Sequence, residues 1–277
     1  MPVLVILLVP TVQEGAAEME RYIEIFPEVF KTMFLGEGAS FTTPLGFMDA
    51  ELFSFMAPIV FFAFGIAVAA AQIAGEEERG TLGLLLAYPV ARSRLLAEKA
   101  GVLVVALFAL TLAQFATLAV GVWLANIDIP MSALVRGHVS LYLLALTGSA
   151  IAFAVGAATG NRGAALGAGA GVGPASYLLN ALAPLAKSTE SLQRGSIFYY
   201  YGGAQPLAHG ADATDAAVLL AVPAAALAVA FVLFARRDLR GRVAAVAARG
   251  RATSNRGAGS RRAWPLPRRP ASRCPAG

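Results

Sequence analysis

The sequence predicts an all-α polytopic membrane bundle: five complete transmembrane helices, a truncated first one, and short interfacial helices between them. Three observations carry that prediction. The 277 residues are 57% hydrophobic and only 14% charged, where a soluble domain carries about 25% charged residues. Several charge-free runs are longer than the roughly 18 residues that mark a membrane-spanning candidate. Between two of those runs, 52–74 and 100–125, lies one dense charged interruption at 75–94. A charge at the bilayer centre costs about 2.5–3.5 kcal/mol, so the four in a row from Glu76 to Arg79 would cost roughly 10. The interruption therefore belongs in water or against protein, between one helix and the next.

Taken in order, the apolar opening of residues 1–12 is too short to span. Twelve residues of helix rise about 18 Å against a hydrocarbon core of about 30 Å. It has no basic leader and no small-residue cleavage site, so a signal peptide fits poorly as well. Residues 13–51 are polar and acidic, with Glu14, Glu18, Glu20, Glu24, Glu28, Glu37 and Glu51. Met19, Tyr22, Ile23 and Phe26, then Val29, Phe30, Met33 and Phe34, recur at helical spacing, which predicts two short interfacial helices punctuated by Pro27 and Gly36. The first full span is 52–74, kinked by Pro58.

The interruption has internal order. Gly80 and Gly83 loosen the backbone, and Leu82, Leu85 and Leu86 share a face at i, i+3, i+4. Pro89 ends the turn, and Ser93 is placed to cap the next helix. Periodicity alone leaves two readings: a loop whose leucines dip into headgroups, or a short amphipathic helix whose leucine face docks on a partner.

The next helix is 95–125, with Thr111, Gln114 and Thr117 on one drifting polar face; they line a path or, preferably, hydrogen-bond a neighbouring helix. Residues 126–130 turn at the outer side, Arg136 and His138 mark an interface, and 139–159 crosses back. Gly160-Asn161-Arg162-Gly163 is a tight inner turn. The span 164–186 follows, with Gly163, Gly167 and Gly171 at four-residue intervals and Gly169 and Gly173 repeating the spacing. Such spacing lets helices approach closely, either within the chain or between subunits. Residues 187–215 form a second outer loop with Tyr199, Tyr200 and Tyr201 at the boundary, and 216–235 is the last span.

Net charge is unevenly spread. From Arg236 onward there are twelve arginines against one acid, Asp238, while the rest holds ten basic and sixteen acidic side chains. The arginines that directly follow the last span fit the positive-inside rule, which accounts for them without nucleic acid. Arg79, Arg92, Arg94, Lys99, Arg162 and the Arg236 cluster fall on one side, which is therefore read as cytoplasmic, with both termini inside. From Arg249 the chain is Arg/Gly/Pro/Ser-rich, and a disordered basic tail is expected over 243–277.

Catalytic classes are narrowed by what the residues lack. Cys274 is the sole cysteine, and His138 and His209 are the only histidines, so no cysteine or histidine metal centre is expected. Lys31, Lys99 and Lys187 follow Phe30, Glu98 and Ala186. None completes a phosphate-binding loop, so the chain is not itself an ATPase. There is no Gly-x-Ser-x-Gly and no His-Glu-x-x-His.

One string narrows the class further. Glu77 to Lys99, with Gly80-Thr81-Leu82, Leu84-Leu85-Leu86, Pro89-Val90, Arg92 and Leu95 in register, resembles the cytoplasmic loop of ABC-2 type transporter permeases. Phe26 to Gly36 followed by Thr43-Pro44-Leu45-Gly46-Phe47, and the aromatic-Gly-Pro stretch 196–207, resemble that family's outer loops. The resemblance implies a permease domain over 1–242 whose loop 75–94 contains a coupling helix seated on a separate ATPase subunit. It also implies that the sequence starts partway through the first helix. In that reading Leu82, Leu85 and Leu86 dock with Thr81 beside them, and Glu76, Glu77 and Glu78 meet basic groups on the ATPase. Gly80 and Pro89 shape the bend, and Arg92 anchors the loop's return to headgroups or partner. No cofactor is expected on this chain, since ATP and Mg²⁺ would sit on the ATPase. The partners implied are that ATPase, a second permease chain, identical or related, and the bilayer of the cell membrane; export is the implied direction. The alternative is a self-contained carrier or membrane-assembly factor. Carriers usually show mid-membrane charge and paired, broken helices, and these spans are nearly charge-free with no internal repeat.

Overall fold

The first described helix starts earlier than its apolar run suggests. In the computed structural model, which describes residues 43–185, 189–203 and 205–237 together with Ile6, Val9, Arg21 and Ile25, the segment Pro44–Gln72 (α1) is continuous. Thr43 caps it, its hydroxyl accepting from the Gly46 N–H at 3.1 Å. Asp49–Met56 within it is π-helical and ends two residues before Pro58. A proline has no N–H to return to the preceding turn, and Ser54 Oγ meets the Asp49 carbonyl at 2.8 Å. The expected disturbance at Pro58 thus takes the form of a π stretch on its N-terminal side.

After α1 come two short helices, Ala74–Glu78 (α2) and Thr81–Leu85 (α3), then the long Arg92–Leu124 (α4), Met131–Thr159 (α5), Arg162–Leu182 (α6), a four-residue turn of helix Ile197–Tyr200 (α7) and Ala213–Arg236 (α8). Among the described residues no strand occurs. Helix α4 begins at Arg92 behind Ala91, without the side-chain cap expected from Ser93. Its 33 residues extend about 50 Å, more than a bilayer core requires.

Helix α5 is the centre of the bundle. In its most apolar window 78% of residues are buried, against 22% in α4 and in α8, so α4 and α8 present most of their surface outward, where apolar side chains meet lipid. Glycines let α1, α5 and α6 close on one another: a Cβ at Gly169 of α6 would lie 2.8 Å from Ile66 and 2.9 Å from Ala152. Phe62 covers Gly148, and Ser149 lies against Gly65.

Four helices, α1, α4, α5 and α8, are long and apolar enough to cross a membrane. Sequence reading expected five complete spans. The fifth, α6, is present with 21 residues, but its run of glycines lowers its hydropathy below that of the others. The expected partial helix 1–12, the acidic helices within 13–42, Lys187 and the basic tail 243–277 lie outside the described residues, Ile6, Val9, Arg21 and Ile25 excepted.

Candidate functional site

The charged interruption folds into a small assembly at one end of the bundle. Helix α1 ends and α2 restarts at Ala74, so Glu76, Glu77 and Glu78 stand on one short turn. Gly80 then takes a left-handed conformation, φ 76°, which only glycine adopts without strain; nothing crowds its Cα. Thr81 Oγ1 donates to the Glu76 carbonyl at 3.1 Å, tying α3 back to α2 across that hinge. Pro89 lies in the bend that leads to α4.

The three glutamates, expected to meet basic groups on another subunit, each have a partner within this chain. Glu76 is paired with Lys99 of α4. Glu77 is paired with Arg237, just past α8, at 2.6 Å, both side chains 13% exposed. Glu78 Oε1 accepts from the Arg162 backbone N–H, 2.9 Å away, at the start of α6. The physical reason is proximity: this turn lies among the ends of α4, α5, α6 and α8, where cations and unsatisfied helix-terminal groups gather. Arg92 likewise anchors the loop's return within the chain, its Nη1 donating to the Arg237 carbonyl at 2.7 Å.

The leucine face also differs from expectation. Leu82 is buried at 2% exposure. Helix α3 is only five residues long, Leu86 is its C-cap, and Leu82 turns inward while Leu86 is half-buried. The outward surface is made instead by Leu84 at 70% and Tyr88 at 71%, with Leu85 and Val90 beside them. Four apolar side chains exposed at the charged end of a bundle form a surface that suits a protein or headgroup contact.

A concavity opens sideways between α1 and α6, an apolar groove of about 330 Å³ lined by Phe55, Pro58, Ile59, Phe62, Gly173 and Tyr177 among others. The glycines named as a packing ridge divide there. Gly169 and Gly173 face the bundle, whereas Gly167 and Gly171 have open space where a Cβ would be, and Gly163 meets only its neighbour Asn161. The intramolecular close approach therefore belongs to the alternate pair, a correction of the register by two residues.

At the opposite end of the bundle a carboxylate outside any expectation is fully buried. Asp49 accepts from the Leu207 N–H at 2.7 Å and the Ala208 N–H at 3.0 Å. Tyr201 donates its hydroxyl to the Phe53 carbonyl at 2.9 Å. Burial, reinforced by the Asp49 carboxylate, holds the Tyr201 phenol well above its usual range, so it stays a neutral donor. His138, expected at an interface, is buried edge-on between Phe53 and Phe115. Thr111 and Thr117 bond to carbonyls four residues back in their own helix, 2.8 Å each, instead of bridging to a neighbour.

Arg237 and Asp49 were missed as site residues. Arg237 was visible only as one of several arginines after the last span, and Asp49 only as an acid in a polar stretch. Searches of curated proteins and of solved structures find no match to this chain. A family model described as ABC-2 family transporter protein matches residues 3–239, a range that contains every helix described above. The chain is therefore a member of the ABC-2 transporter family, a permease of the ABC transporter class embedded in the membrane by its apolar helices.

Proposed function

We propose that this permease is the membrane half of an ATP-driven exporter, powered through the loop 75–94 by a separate ATPase subunit that holds ATP and Mg²⁺. The observation that carries the proposal is the outward apolar surface of Leu84, Leu85, Tyr88 and Val90, presented from a hinge at Gly80 and fixed at its base by the ion pairs of Glu76 and Glu77. In this reading the loop and the basic tail face the cytoplasm of the cell membrane. A second permease chain completes the pathway, and closure of the ATPase pair around ATP pushes α2 and α3 against the bundle. The lateral apolar groove between α1 and α6 favours a cargo with a greasy face.

The decisive test replaces Leu84 and Tyr88 together by Asp. Both side chains are exposed, so insertion into the membrane and detergent-extracted yield are expected to stay at the parental level. Co-purification with a candidate ATPase, chosen as a chain that carries a phosphate-binding loop, is expected to fall at least about tenfold, the loss of roughly 1.4 kcal/mol or more. A complex that survives both aspartates unchanged removes the docking assignment.

A further inference from the structure

The covalent chain joins the loop 75–94 to two spanning helices only, α1 before it and α4 after it. Arg237 adds the other two. Its Nη1 donates to the Ala157 carbonyl at 3.1 Å, and its Nη2 donates to the Thr159 carbonyl at 3.1 Å and to Glu77 Oε1 at 2.6 Å. Its own carbonyl accepts from Arg92. One residue thus touches α2, the first residue of α4, the last turn of α5 and, through its own backbone, the end of α8.

Each contact has a separate physical cause. The carbonyls of Ala157 and Thr159 are among the last four of α5, which have no partner inside the helix and sit at the negative end of its dipole. A cation placed there is favoured twice. A guanidinium also presents a rigid planar fork of donors, so it reaches two carbonyls and a carboxylate from separate nitrogens, whereas the three donors of a lysine ammonium all radiate from one atom. The turn after α5 leaves the space for this. Gly160 is left-handed, φ 61°, and a Cβ there would fall on both the Arg237 guanidinium and the Glu77 carboxylate. Glycine is therefore required at Gly160 both by its dihedral angle and by the ion pair packed against it.

We infer that Arg237 is a positioning residue for the loop: it clasps the base of the loop to α5 and α8, so that a displacement of α2 and α3 reaches all four long apolar helices together. Without the clasp, a push on the loop would reach α1 and α4 through the chain and leave α8 behind. The clasp itself is independent of what supplies the push; only its use in transport rests on the ATPase reading above.

The test uses the full chain in lipid nanodiscs, followed by hydrogen exchange of the backbone amides at 75–80. Arg237→Gln and Glu77→Gln are each expected to speed exchange there about tenfold. The double variant should do no more than the larger single, because both changes break the same contact. Amides in the middle of α5 serve as the folding control. If Arg237→Gln loses protection there, Arg237→Lys takes its place, with a smaller rise expected at 75–80. Unchanged exchange in the loop, or single effects that add, overturns the clasp.

A second arm reconstitutes the permease with the candidate ATPase. Arg237→Gln should lower kcat for ATP severalfold with KM for ATP and co-elution unchanged, since the residue moves neither the nucleotide site nor the docking surface. Full ATP turnover alongside accelerated exchange would leave a clasp with no part in transmission, and the inference would fall. An unmodified chain that binds no ATPase sinks the proposed function instead, and the exchange measurements alone then decide the clasp.

Discussion

The two ends of the bundle bury carboxylates in opposite ways. At the far end Asp49 is held by two backbone N–H groups of residues 207 and 208, donors that cannot swing away without moving the chain. At the loop end Glu76 and Glu77 are held by the side chains of Lys99 and Arg237, each on several rotatable bonds, beside a glycine hinge with open space around it. A carboxylate on backbone donors makes a static lock. A carboxylate on a long cation makes a contact that can be released and remade at modest cost. The difference sets backbone-held contacts at the end without the loop against side-chain-held contacts at the end with it.

The largest expected effect comes from breaking the static lock. Asp49→Ala leaves the buried Leu207 N–H and the half-buried Ala208 N–H without acceptors, each worth about 1–3 kcal/mol, so a loss of roughly 2–6 kcal/mol is expected. Thermal unfolding in detergent measures it, and limited proteolysis between 196 and 210 should show the released segment. Asp49→Asn keeps one acceptor oxygen and should cost about half as much. If Asp49→Ala unfolds at the parental temperature, the two ends do not differ as described.

Next comes Glu76→Gln at the loop end. Lys99 then faces a neutral amide while remaining mostly buried. Among the described residues the second carboxylate oxygen of Glu76 accepts no hydrogen bond, so less is lost than at Asp49. A loss of about 1–2 kcal/mol is expected, read as faster proteolysis of 75–90 with little change in the global unfolding temperature. A global shift as large as that of Asp49→Ala would erase the distinction between lock and clasp.

How much of this could be read from residues alone follows the same division. The long apolar helices were legible because charge-free runs have few alternatives. Their starts were not. Helix α5 begins at Met131, eight residues before its expected start, because Arg136 and His138 resembled an interface. The structure tucks His138 between two phenylalanines and lets Leu207 close over Gly137. The charged loop was legible from its position between spans, yet the partners of its glutamates come from 23, 84 and 160 residues away, distances no local pattern reports. The leucine face failed for a different reason: a helical period is defined over several turns, and α3 has barely more than one. In α6 the four-residue glycine spacing fits two registers equally well, and only the positions of Ile66 and Ala152 against Gly169, and of Phe62 against Gly173, select that pair.

The smallest effect tests whether burial, and not charge, ranks these contacts. Arg94 and Glu98 on α4 form an ion pair at 2.9 Å, with side chains 76% and 59% exposed. Their chemistry matches that of the loop's pairs, but solvent screens them. Arg94→Ala is therefore expected to change the unfolding temperature by less than about 1 °C, the shift of roughly 0.3–0.5 kcal/mol assigned to exposed helix pairs. High salt should leave even that difference small, whereas the Glu77–Arg237 contact, sheltered from counterions, should keep its effect on loop exchange at 0.5 M as at 0.05 M salt, about 4 and 14 Å of Debye length. A loop clasp that vanishes in salt together with the Arg94 pair would be a surface interaction, and the proposed route from loop to α8 would lose its mechanical basis.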